Sequence, residues 1–195
     1  MKEKLDKILS STKFYIVMGI FIVMVYSGVI FQFTTIRGKS MNPTFVTFDA
    51  GITNKLDRTA IDRFDVVSTK SLAYKDPTAV KGYLKRVVGL PGETVDYKDR
   101  QLYINGNRID DPYAYYRTEN EVQTTVEKTG ETYLVTGDFH WELGDDEYLV
   151  MGDNRLDSKD SRDPLIGPIQ KEDILGTFHY SKILSYINHT LHSKE

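Results

Sequence analysis

Ser40 stands in the stretch IRGKSMNPTF, residues 36–45, and its Gly-Lys-Ser triplet fits either of two chemistries. One is the end of a phosphate-binding loop, which needs a glycine five residues before Gly38 so that backbone N–H groups can curl around the phosphates. That position holds Phe33, and Met-Asn-Pro after Ser40 is a poor start for a phosphate-capping helix. The other is a nucleophilic hydroxyl, and such a group needs a base nearby. His140, His179, His189 and His192 all lie in the C-terminal third, and none has a recognisable triad context. A lysine is the alternative, because burial disfavours its charged form and lowers its pKa toward neutrality. Lys85, in the apolar stretch YLKRVVGLPGETV (residues 83–95), is the best placed. Strand alternation alone leaves both orientations open, because a lysine beside Val87 and Val88 ordinarily faces solvent. A third polar stretch, VMGDNRLDSKDSRDPLIG (residues 150–167), is dense in side chains able to hydrogen-bond and ion-pair around a site.

Positioning these residues requires a folded domain, and the chain has the length for one. It has 195 residues, 40% of them apolar, enough to build a buried interior. A net charge of −3, from 25 basic and 28 acidic residues, gives no broad basic field, so nucleic acid is not expected as a partner. The absence of cysteine removes disulfides, thiolate metal sites and a cysteine nucleophile.

Residues 14–33, FYIVMGIFIVMVYSGVIFQF, carry no acidic or basic side chain. Twenty helical residues span roughly 30 Å, the thickness of a bilayer's hydrocarbon core. The run is apolar all round apart from Ser27 and Gln32, unlike an amphipathic core helix, and no convincing small-x-small cleavage site follows it. It reads as a retained transmembrane anchor in a lipid bilayer. Lys2, Lys4, Lys7 and Lys13 precede it and Arg37 and Lys39 follow, so the basic excess places residues 1–13 in the cytoplasm and residues 34–195 outside.

From Ile61 onward, clusters rich in Val, Ile, Tyr and Thr alternate with Gly, Asn, Asp and Pro, the pattern of a mostly β domain. DVVST, YLKRVVGL, ETVDY, QLYINGNRI and EYLVMG read as strands, with Asn105-Gly106 as a hairpin turn. Residues 111–147 are more polar, and about 97–147 reads as a less regular inserted part. The tail ILGTFHYSKILSYINH suggests a last strand followed by a short amphipathic helix.

Four stretches taken together resemble the boxes of the type I signal peptidases of Gram-positive type, membrane-anchored serine proteases that use a Ser/Lys dyad. SMNPT is similar to that family's nucleophile box, RFDVV to its following strand box, YLKRVVGLPGETV to its lysine box and GDNRLDSKDSR to its last box, in the same order behind a single anchor. The resemblance implies a signal-peptidase-like β-fold, with Ser40 as nucleophile, Lys85 as general base and Ser158 as the group that orients the amine. It implies that Arg86, Asp160 and Arg162 form one supporting ion-pair cluster, and that Met41, Tyr83 and Leu84 line the substrate cleft, although as apolar residues they fit the core equally well. Gly152, Asp153, Asn154 and Ser161 are equally readable as turn and capping residues. Gly38 stands where other members carry a serine that completes the oxyanion hole, and Phe64 stands where glycine is common. No metal or cofactor is implied. The substrates implied are preproteins with small residues before the cleavage site, cut by a monomeric enzyme at the outer face of the membrane. A specialised peptidase for pilus or conjugation substrates fits the same residues. A non-catalytic assembly factor would have lost Ser40 or Lys85, and a self-cleaving Ser/Lys repressor would carry a DNA-binding module in place of the anchor.

Overall fold

The computed structural model describes residues 12–70, 82–116, 138–164 and 166–192. Most of the expected cytoplasmic segment and residues 117–137 of the expected insertion lie outside them. The chain divides into two units, residues 1–32 and 33–195.

The first unit is helix α1, Thr12–Ile30, with no buried residue. Its 19 residues extend about 28 Å at 1.5 Å each, and by length and composition it can cross a membrane. The helix stops three residues before the end of the apolar run. Phe31, Gln32 and Phe33, assigned to the anchor from the sequence, begin strand β1, Phe31–Thr35, instead. Aromatic and β-branched side chains in FQFTT favour the extended backbone. The Thr34 and Thr53 hydroxyls share a hydrogen bond of 2.7 Å across the neighbouring strand.

The second unit is built from β2 Ala50–Asn54, β3 Val66–Thr69, β4 Tyr83–Gly89, β5 Thr94–Lys98, β6 Gln101–Ile104, β7 Asn107–Ile109, β8 Phe139–Glu142, β9 Glu147–Met151, β10 Ile169–Gln170, β11 Ile174–Tyr180 and helix α2 Lys182–His192. The expected strands are present. A seven-stranded sheet runs β1-β2-β11-β3-β4-β9-β10, and a four-stranded sheet runs β7-β6-β5-β8. The β6–β7 hairpin turns on Asn105 and Gly106, both at positive φ, the geometry that an Asn-Gly pair accepts at little cost. Regular pairing therefore extends into the interval read as less regular, since β6, β7 and β8 lie within it.

Strand β4 is central because antiparallel neighbours occupy both of its edges, β3 pairing Val67 with Lys85 and β9 pairing Met151 with Arg86. One apolar cluster joins Val67, Val87, Val150 and Ile174, and a second joins Val88, Leu149 and Met151 to Val95, Tyr97 and Leu102 of the small sheet. Lys85 and Arg86 are thus carried into the interior by strands whose apolar residues fill both faces.

Candidate active site

Ser40 lies in a tight turn in which Asn42 N–H donates to Lys39 O at 3.1 Å and Phe45 N–H to Met41 O at 3.0 Å. The Asn42–Pro43 peptide is cis. Met41 anchors this turn, 2% exposed and packed with Ile36, Val66 and Phe178. Of the two places the sequence allowed Met41, cleft lining and core, that burial matches the core. Leu84 packs against the same cluster, while half-buried Tyr83 packs beside Val87 and Val67. Ser40 remains partly accessible.

Lys85 Nζ is 2.8 Å from Ser40 Oγ. Lys85 is only 2% exposed, so the solvent-facing orientation that alternation allowed is not the one adopted. Burial pushes its amine down to about 8, against a usual 10.5. Asp160 opposes that shift most, the Arg162 charge adds to it, and Asp153 and Asp157 hold it up further. Burial without a carboxylate in salt-bridge contact destabilises the ammonium more than the neutral amine, which is the state a base requires. The histidines are engaged elsewhere: His140 with Asp96, His179 with Asp57 and Thr177, His189 with Asp49, and His192 with the Asn188 carbonyl.

The last box closes over this pair. Asn154 N–H donates to Ser40 O at 3.0 Å and its Nδ2 to Lys39 O at 3.1 Å, so one residue holds the carbonyls on either side of the Ser40 N–H. Gly152 is the closest packed residue there. A Cβ at that position would fall 2.2 Å from Ser158 Oγ and 2.4 Å from Ser40 O, so only glycine lets the two segments meet. Its requirement is contact, not conformation. Ser158 Oγ is buried beside it with no hydrogen-bond partner among the described residues, so it makes no hydrogen bond to Lys85. Ser161 clips the box to β9, since its Oγ accepts Val150 N–H at 3.0 Å.

The charges divide differently from expectation. Asp160 accepts from Arg162 Nε at 2.7 Å, Arg162 Nη2 at 2.8 Å and Gly152 N–H at 2.8 Å. Burial raises the Asp160 carboxyl, but Arg162, the charge on Lys85 and the Gly152 N–H more than offset this and hold it below the usual range. Arg86 is not part of that group. It points to the other face of β4, donates to both Asp153 oxygens at 2.7 and 2.6 Å and to Phe64 O at 2.7 Å, and stacks on Tyr113 with its guanidinium 3.6 Å from the ring centre. Alternation forces this separation, because adjacent residues on a strand face opposite ways. The sequence missed Asp153 as the partner of Arg86. It also missed Arg155, which is fully buried and donates to Gly152 O at 3.0 Å, Tyr97 Oη at 3.3 Å and the Asp111 carboxylate.

Phe64 has φ of +72°, a left-handed conformation that explains why glycine suits the position. Gly38, at φ +95°, is exposed, and a Cβ there would meet nothing within 4 Å. A cavity of about 560 Å³ lies among Arg58, Thr59, Asp146, Gln170, Lys171 and Glu172. It includes neither Ser40 nor Lys85. Among the described residues no group of His, Asp or Glu is arranged to hold a metal.

Residues 9–181 match the family described as signal peptidase, peptidase S26. The chain is 34% identical over 181 residues to signal peptidase I P of Bacillus subtilis subsp. natto, covering 90% of this chain and 91% of that one. It is 40% identical over 145 residues to signal peptidase I V of Bacillus subtilis (strain 168), covering 72% and 79%. A crystal structure of a signal peptidase I from Enterococcus faecalis V583 aligns with TM-score 0.44 at 28% identity, over 61% of this chain and 97% of that chain.

Proposed function

This chain belongs to the signal peptidase, peptidase S26, family, a membrane-associated serine endopeptidase that removes signal peptides from preproteins, and from that premise we propose that Ser40 and Lys85 carry the reaction. The observation that supports it is the 2.8 Å contact between a partly accessible hydroxyl and a buried amine near pKa 8. At pH 7 about a tenth of such amines are neutral, against roughly one in 2,500 for an ordinary lysine.

Neutral Lys85 takes the Ser40 proton as Oγ attacks the scissile carbonyl, and the tetrahedral oxyanion is met by the Ser40 backbone N–H. The Lys85 ammonium returns the proton to the leaving amine, giving an acyl-enzyme. A water that loses its proton to the same amine then hydrolyses the ester. Gly38 supplies no side-chain donor, so the local backbone or a water completes the oxyanion site. Ser158 is the positioning residue. Its buried hydroxyl, beside Gly152 and without a hydrogen-bond partner among the described residues, is available to orient the amine. Arg86, Asp160 and Arg162 serve as supporting charges, while Tyr83 and Leu84 border the substrate and Met41 holds the turn from below. Preproteins with small residues before the cut fit shallow pockets beside an extended strand. The N-terminus lies in the cytoplasm, residues 34–195 lie outside, and the enzyme acts as a monomer.

Preprotein cleavage by the full chain in lipid tests this. Ser40→Ala and Lys85→Arg should be folded, membrane-bound and inactive, because a guanidinium cannot act as a base near neutrality. Wild-type kcat/KM should rise with pH through about 8 as Lys85 deprotonates. Substantial cleavage by Lys85→Arg at pH 7 would defeat the assignment.

A further inference from the structure

Helix α2 is mounted inside out. Its buried residues are polar: Ser185 Oγ accepts from Ala50 N–H at 2.8 Å and donates to Ala50 O at 3.1 Å, and Asn188 Nδ2 donates to Phe48 O at 2.7 Å. His189 adds a contact of 3.2 Å to Asp49. The Ser181 hydroxyl caps the first turn by accepting Leu184 N–H. The opposite side shows Ile183, Tyr186, Ile187 and Leu191, three of them 70% or more exposed. At 100° per residue they occupy an arc of about 140°. An ordinary surface helix buries such an arc.

We propose that this face of α2 lies in the bilayer surface, with Ile183, Tyr186, Ile187 and Leu191 among the acyl chains beneath the headgroups. Covalent continuity chooses lipid as the occupant. The segment that carries α2, Phe48 to Ala50, is hydrogen-bonded to Ile36, through Ile36 N–H to Asp49 O and Phe48 N–H to Ile36 O, both 2.8 Å. Ile36 is only six residues beyond the end of α1. The surface bearing the exposed arc is therefore tied to the chain where it leaves the apolar segment. Charge agrees, because α2 contains Lys182 and no acidic residue, which suits an interfacial helix on anionic lipid. The arc also matches the amphipathic membrane-surface type, in which apolar residues and a tyrosine sit together at the boundary.

The protein contains one tryptophan, Trp141, which makes single-tryptophan reporters simple. In full-length Trp141→Phe chains reconstituted into phosphatidylglycerol/phosphatidylethanolamine vesicles, Tyr186→Trp reports α2 and Tyr26→Trp reports the anchor. Lipids brominated high on the acyl chain should reduce Tyr186→Trp emission about twofold, at the depth of an interfacial helix. Deeper bromines should quench Tyr26→Trp. Quenching at position 26 with none at 186, and free access of acrylamide to 186, overturns the inference while leaving the anchor intact. Quenching at neither position removes both. Protection of position 186 that persists in detergent, with disulfide dimers formed by Ile183→Cys, overturns it in favour of a second copy of the chain. Ile183→Ser/Leu191→Ser gives an independent readout. Cleavage of a short soluble peptide in detergent should stay at the wild-type rate while lipid quenching at 186 falls to background.

Discussion

Lys85 and Arg86 are neighbours on one strand, both buried and both cationic, yet the two sides of β4 use burial in opposite ways. On the Arg86 side the guanidinium meets a carboxylate in a two-pronged contact, an aromatic face and a carbonyl, so its charge is fully matched and acts as a brace. On the Lys85 side the amine meets one hydroxyl and, 5.4 Å away, the centre of the Tyr83 ring, while Asp160, Asp153 and Asp157 act on it only through their charge, so burial wins and the proton is held weakly. A buried cation becomes structural or reactive according to its partner, and a single residue step along a strand is enough to choose.

The contrast predicts stability effects of opposite sign. The largest is Arg86→Met, which leaves Asp153 charged and buried without its partner and should cost about 3–5 kcal/mol in urea unfolding. A loss under 1 kcal/mol would mean that the pair is not a brace. Lys85→Met should go the other way. The wild-type amine titrates at about 8 when folded and 10.5 when free, so between those values the unfolded chain binds more protons and wild-type stability rises with pH. Below that window, at pH 7, the methionine variant should be more stable by about 1–3 kcal/mol, the lost Ser40 hydrogen bond offsetting part of the gain. The advantage should fade as pH rises through the window, and a variant less stable than wild type at pH 7 would refute the account. The smallest effect is Ser158→Ala. Removing a hydroxyl with no partner among the described residues should leave the melting temperature almost unchanged, while kcat falls about threefold to tenfold if Ser158 orients the amine during turnover. An unchanged kcat would assign Ser158 to packing alone.

Much of the scaffold was legible in the sequence because it rests on local rules. Clusters of Val, Ile, Tyr and Thr between turn residues marked β3, β4, β5 and β9, and Asn105-Gly106 marked the hairpin. Ser40 and Lys85 were legible through their boxes, which are short and contiguous. What escaped depends on segments distant in sequence. The burial of Lys85 follows from the residue 40 turn and the last box covering β4, which no window around Lys85 contains. Asp153 and Asp160 stand in one box, and only the facing of β4 decides which of them Arg86 meets. Gly152 has no unusual φ to betray it, because the crowding that requires glycine comes from Ser40 and Ser158. Periodicity gave α2 as amphipathic but not which side packs, since Ser185 and Asn188 bind backbone groups that β2 and its approach leave available.

Arg155 bears on how far this protease can be reduced. Its guanidinium reaches Gly152 beneath the nucleophile and also Tyr97 and Asp111, which belong to the four-stranded sheet and the segment after it. The smaller sheet thus supplies a hydroxyl, and the segment after it a counter-charge, to the cation that holds Gly152 beside Ser40. Engineering a minimal enzyme by excising residues 94–142 would strip a fully buried cation of two partners directly under the catalytic turn, so the smaller sheet is a keystone of the catalytic unit and not a detachable module.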